Sequence, residues 1–292
     1  MTITLVDVVN LLINGSIDGL LIALPTLALT LVMGIARFPN AATGDYMTVS
    51  AYAGIGVQVG GASILLAGLG AVAAGAAISM VFYLWVFRAL RGRAPVASLV
   101  ASIGVAFFAR SMLTLFAGHD QHTFSIPLVR AWNFSGIRVL PTDLYVAGVA
   151  LLVMLLLFAL LHLTSIGRQM RAIADNPDLA RACGIRSGRV LLTLWATVGA
   201  LCALGGMMFG IKAVVSPELG WELLIPAFAA MIVGGIGSPI GAVAGAVLLG
   251  IASELSVPFV GPSYKIAVAF VLLLLVLLLR PRGLFGKAIA AR

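Results

Sequence analysis

Two ionisable side chains lie inside apolar runs of this 292-residue chain: Asp18, within an apolar stretch at 8–34, and Arg110, in the outer part of another at 95–117. A charge near the middle of a membrane helix costs roughly 2.5–3.5 kcal/mol on insertion scales, so each needs a polar setting. Asp18 has Asn14, Ser16 and two glycines for neighbours. Two kinds of chemistry fit: a polar site lining a pathway, with an ion pair among its members, or plain structure. The structural alternative is a buried polar contact between helices for Asp18 and a snorkelled anchor for Arg110. Asp45 stands near the edge of the next apolar stretch and reads as a helix cap.

Other reactive groups are sparse. Cys183 and Cys202 form no CxxC pair, and His119, His122 and His162 are scattered, so no metal site and no cofactor is expected. No HExxH, Walker A lysine loop or nucleophile elbow occurs. The run Gly234–Gly241 has glycines at 234, 235, 237 and 241, but Ile240 stands where a dinucleotide fingerprint would need glycine. Gly237, Gly241 and Gly245 recur every four residues, a small-residue face for close helix packing. The alternative is a broken helix whose backbone lines a pathway. An enzyme is not expected; ATP hydrolysis, if transport uses it, falls to another chain.

The elements that must hold these residues are set by solvent. Hydrophobic residues make up 62% of the chain and charged ones 10%, against about 25% charged in soluble domains. Nine apolar segments follow one another at about 8–34, 45–60, 64–87, 95–117, 143–163, 190–211, 223–235, 240–256 and 265–280. A full span needs roughly 20 residues, so the second, seventh and eighth are short and read as tilted, re-entrant or broken helices. The first ten residues carry no Lys or Arg, unlike a cleaved signal, and the first helix is expected to be retained.

Positive charge orients the segments. Arg37, Arg88, Arg91, Arg93, Arg168, Arg171, Arg181, Arg186, Arg189, Arg280, Arg282, Lys287 and Arg292 are thirteen of the eighteen basic residues. They fall in alternate loops, as cytoplasmic loops require, if the N-terminus is outside, the C-terminus cytoplasmic and the crossings nine. The net charge of +8 therefore reads as topology, and nucleic acid is not a partner. The expected fold is all-α: one polytopic transmembrane domain over 1–292, with eight or nine crossings, an external loop at 118–142 and an internal loop at 164–189.

Within the internal loop, Asp175-Asn176-Pro177-Asp178 reads as a helix start, with Asn176 capping, Pro177 in the first turn and Asp178 at the positive dipole end. Gly184 stops the helix. Such a helix is either a docking element for a partner groove or a solvated connection. If it docks, bulk at Ala180 or Ala182 is expected to block the contact.

The run Gly167–Ile185, including Gly167, Arg168, Arg171, Asp175, Asn176, Pro177, Asp178, Ala180 and Gly184, resembles the cytoplasmic coupling loop of branched-chain amino acid ABC permeases of the LivH/LivM family. Gly234–Ala242 resembles that family's late glycine-rich turn, and Leu279–Gly286 its C-terminal end. The three motifs occur in family order across nearly the whole chain, and its compact length resembles the LivH type. One departure stands at Phe38–Tyr46: where the family often has alanine-histidine-glycine, Thr43 holds the histidine position. The resemblance implies an inner-membrane importer subunit for branched-chain or related small amino acids or amides. It implies as partners a second homologous permease, two cytoplasmic ATPases and an extracytoplasmic binding protein, all within membrane lipid. A stand-alone secondary transporter or channel is the alternative. Asp18, Gly44, Asp45, Arg110, Gly234, Gly235, Gly237 and Gly241 are the candidates for pathway or helix packing.

Overall fold

Prolines and small polar residues punctuate the apolar chain. Proline opens α4 (Pro95–Ala117), α5 (Pro141–Leu163), α7 (Pro177–Ala182) and α10 (Pro239–Val260), where its missing N–H costs nothing. Side-chain caps start α3 (Ile64–Phe82) at Ser63, α6 (Ser165–Asp175) at Thr164, α7 at Asn176 and α10 at Ser238. The remaining helices are α1 (Leu5–Leu31), α2 (Thr43–Val59), α8 (Ser187–Lys212), α9 (Leu219–Gly234) and α11 (Lys265–Leu279). This is a computed structural model that describes residues 5–127, 129–134 and 136–286. Lys287 and Arg292, expected on the cytoplasmic side, lie outside the described residues.

Among the described residues, seven helical stretches are long and apolar enough to cross a membrane, α1 continuing through a π-helical turn to Ala36. The short second and seventh segments are α2, with 17 residues, and α9, with 16. The eighth segment was expected to be short. It is instead a 22-residue helix, α10, because it begins at Pro239 and continues past residue 256 through Pro258 to Val260; within it Glu254 finds an ammonium partner in Lys265.

Helix α1 runs through the middle of the bundle and packs on α10, α8, α9 and α5. Its crossing with α10 is backbone-close: a Cβ on Gly19 would stand 2.6 Å from Val247 Cα, and one on Gly250 2.5 Å from Gly19 N. Small residues allow such crossings where lipid supplies no hydrophobic force between helices. Outward faces are apolar in the reverse sense from a soluble protein. On α11 the side chains of Phe270, Val271, Leu274 and Leu278 are exposed, as are Leu151, Leu152 and Leu155 on α5.

Each end of the bundle gathers distant loops. At one end Arg37 donates to Ala174 O at 2.8 Å, and Arg91 donates to Ser187 O at 3.3 Å. Here too the backbone of Leu284 and Phe285 donates to Val233 O and Gly234 O, both at 2.9 Å. At the opposite end, β1 (Trp132–Phe134) pairs antiparallel with β2 (Ile137–Val139), in the register Trp132↔Val139. Asn10 of α1 accepts from Arg138 N at 3.0 Å, and Gln58 of α2 donates to Ser125 O at 2.7 Å. These are the arginine end and the hairpin end below.

Candidate functional site

Helix α2 begins deep inside the bundle. After Ala36 the chain turns through Arg37, whose φ is +61°, and Phe38 buries against Phe87 and Trp195, with ring centroids 5.3 and 6.2 Å away. Ala41 N then donates at 3.0 Å to Ser102 Oγ, a third of the way along α4. The segment 37–42 thus turns back into the bundle, and the first turn of α2 lies beside α4 between Ser102 and Arg110. Backbone away from a regular helix is tolerated there because protein surrounds it.

Helix α9 starts against the same place. A Cβ on Gly44 would be 2.4 Å from Gly220 O, and Gly220 N donates to Thr48 Oγ1 at 2.9 Å. The positive ends of two short helices therefore meet inside the bundle. Into this junction Arg110 of α4 projects. Its Nε donates to Asp45 Oδ1 at 3.0 Å, and its guanidinium lies 5.4 Å from the ring centroid of Trp221 on α9 and 5.8 Å from that of Phe107. Asp45 is 1% exposed. The expectation of a boundary cap is corrected: Asp45 lies in the first turn of α2 inside the bundle with its carboxylate paired to Arg110, and Ala42 holds the N-cap position without a side-chain bond. The snorkelled-anchor reading of Arg110 falls with it, since the side chain turns inward to a carboxylate.

Arg110 also lines a cavity of about 320 Å³ with Thr114, His119, Gln121, Ser216 and Glu218. This cavity opens among the loops of the hairpin end.

Asp18 does not share that site. Lys212 donates to Asp18 Oδ1 at 2.7 Å and lies 3.7 Å from Asp143; Lys265 lies 4.0 Å from Asp18 and pairs with Glu254. A single ion pair joining the two intramembrane charges is thus replaced by two separate sites. The Asp18 cluster borders its own cavity of about 410 Å³, also lined by Asn14 and Arg138. Sequence reasoning missed its partners because Lys212 and Lys265 stand at segment ends and read as loop charges. Trp221 and Gly220 went unnoticed too; a glycine and a tryptophan opening a short apolar helix were the available signal.

The internal loop folds into α6 and α7 at the arginine end. Asn176 Oδ1 accepts from Asp178 N at 3.0 Å and from Leu179 N at 3.1 Å. At the far end Ile185 N donates to Ala180 O and Gly184 N to Arg181 O, both at 3.0 Å, with Gly184 at φ +81°. That is a Schellman stop. Gly167 is required for packing, since its Cβ would stand 2.2 Å from Leu161 O. Arg171 donates to the same carbonyl, while Arg168, Asp175 and Asp178 are exposed. Ala180 is buried at 4%, so bulk there would act on the fold rather than on a docking face. All of α7 and its cap except Ala180 is exposed, with Leu179, Ala182 and Cys183 as the less polar part of that face.

The glycine-rich turn divides in two. Gly241 and Gly245 pack α10 on α9: their Cβ atoms would be 2.2 Å from Gly234 O and 2.3 Å from Ala230 O. Gly237 is corrected from that stripe, because it precedes α10 in the turn, at φ +81°. Gly235, at φ +110°, touches Gly286, so the glycine-rich turn and the C-terminal motif form one unit.

A bundle of this kind, with two short helices meeting inside and a capped helix pair at one end, has the fold of an ABC transporter membrane subunit. It superposes on a solved ABC transporter of the metal-chelate type in an inward-facing conformation with a TM-score of 0.52 at 18% identity, covering 91% of this chain and 86% of the other. The family model for the branched-chain amino acid transport system permease component matches residues 11–278, and the chain belongs to that family. It is 32% identical to the high-affinity branched-chain amino acid permease BraD of Pseudomonas aeruginosa, over 94% of this chain and 95% of that one. It is 29% identical to LivH of Escherichia coli, over 94% of each.

Proposed function

We propose that the chain is the membrane-spanning subunit of an ATP-driven importer of branched-chain or similarly small amino acids in the inner membrane. It works with a second homologous permease, two cytoplasmic ATPases and an extracytoplasmic binding protein. The N-terminus and hairpin end face outward, and the arginine end faces the cytoplasm. One observation carries this reading: Arg37 and Arg91, from loops distant in sequence, bond to the 164–189 segment at the end where the capped helix α7 projects Leu179 and Cys183. Cytoplasmic loops carry such charge, and a projecting capped helix gives an ATPase a rigid handle. ATP binding closes the ATPase pair, α6 and α7 move with it, and access to the pathway switches between two states.

The test is reconstitution of all subunits in vesicles. Leucine uptake that depends on ATP and on the binding protein is expected. Uptake equally fast without ATP would favour a stand-alone transporter and overturn the proposal.

A further inference from the structure

We propose that Arg110 and Asp45 form an intramembrane receptor for the charged ends of an amino-acid zwitterion, Arg110 taking the carboxylate and Asp45 the ammonium. The assignment rests on the importer reading above and adds the site that recognises the cargo.

The pair is incompletely used. Asp45 is 1% exposed; Oδ1 accepts from Arg110 Nε at 3.0 Å, while Oδ2 has no hydrogen-bond partner among the described residues. Thr43 Oγ1, two residues earlier and fully buried, is likewise unpartnered. Buried acceptors normally find donors, and an idle one carries its full desolvation cost. An ammonium offers three donors, more than enough for the idle carboxylate oxygen of Asp45.

Arg110 is idle on its other edge. Nε is its engaged nitrogen among the described contacts, and the rings of Phe107 and Trp221 hold the guanidinium plane. Both Nη groups remain for a second carboxylate, which a guanidinium grips through two parallel bonds. The residue also lines the 320 Å³ cavity at the hairpin end, the side from which a binding protein would release its cargo.

The balance of charge suits this ligand. Arg110 and Asp45 together are neutral, and so is a zwitterion, so each can exchange partners without leaving net charge in the membrane. An incoming carboxylate draws Arg110 from Asp45 Oδ1 and thereby uncovers Asp45 for the ammonium. Neither step breaks a covalent bond or moves a proton. A helix-packing pair would need neither free edge.

The experiment uses the complete reconstituted complex, with leucine as the probe. The double variant Asp45→Asn with Arg110→Gln keeps size and hydrogen bonding but removes both charges. Its leucine uptake is expected to fall about tenfold or more, the scale of one lost charge-assisted hydrogen bond, while the variant still co-purifies with the ATPases. Arg110→Lys keeps the charge for folding but loses the two-bond grip, and is expected to import more slowly as well. Normal uptake by either variant overturns the receptor. The exchanged pair Asp45→Arg with Arg110→Asp is expected to stay inactive; restored uptake would make the pair structural and overturn it too. Absence of leucine uptake by the wild-type complex would instead strike the cargo reading, so the two failures are distinguishable.

Discussion

At the scale of the residue, charge and size act by different rules. Asp18 was recognisable as a residue needing a polar partner because an acid in an apolar run must be neutralised, but the partner itself was not, since Lys212 lies 194 positions away. Both side chains are less than a third exposed, so their coupling should exceed that of a surface pair. A double-mutant cycle with Asp18→Asn and Lys212→Met, read by thermal unfolding in detergent, is expected to give about 0.5–3 kcal/mol of interaction energy. Additive effects would mean that the two are independent. Size is less forgiving at the helix crossing: a Cβ on Gly220 would come within 1.8 Å of Gly44 O, a backbone atom that cannot swing aside. Gly220→Val should cost at least about 1–3 kcal/mol, the usual penalty of overpacking, seen as a lower Tm or failure to accumulate in the membrane.

At the scale of the element, local signals were readable and tertiary ones were not. Helix α7 was visible in Asn176, Pro177 and Gly184 because its start and stop are written within a dozen positions of the chain. The same holds for the nine apolar segments, each of which corresponds to an apolar helix. The depth at which α2 starts was not legible, since the stretch before it and its first turn are fixed by Ser102, Trp195 and Gly220 from other helices. Asp45 therefore looked like a boundary residue. The capping bonds of α7 give a direct expectation: Asn176→Ala should destabilise that helix by about 0.5–2 kcal/mol. Faster amide hydrogen exchange across 177–183 would report it; unchanged exchange would mean that packing of Ala180 alone holds the helix. Leu179→Glu, on the outward face, should leave this exchange unchanged and lower ATP-driven uptake.

At the scale of the whole molecule, the chain divides into a lipid-covered flank and two working ends. The apolar composition announced the flank, and the spacing of arginines announced which loops share an end. The contacts of Arg37 with Ala174 and of Arg91 with Ser187 give that shared end physical form. If this end receives the ATPase, as proposed, the chain carries its own probe. Cys183 is exposed at the end of α7, whereas Cys202 is buried. Thiol cross-linking of the wild-type chain, co-expressed with the ATPase, in membranes is therefore the most direct measurement. An adduct joining Cys183 to the ATPase is expected, its yield changing when ATP is added. Absence of that adduct, with Cys183 modified instead by an impermeant maleimide from outside intact cells, would contradict the proposal.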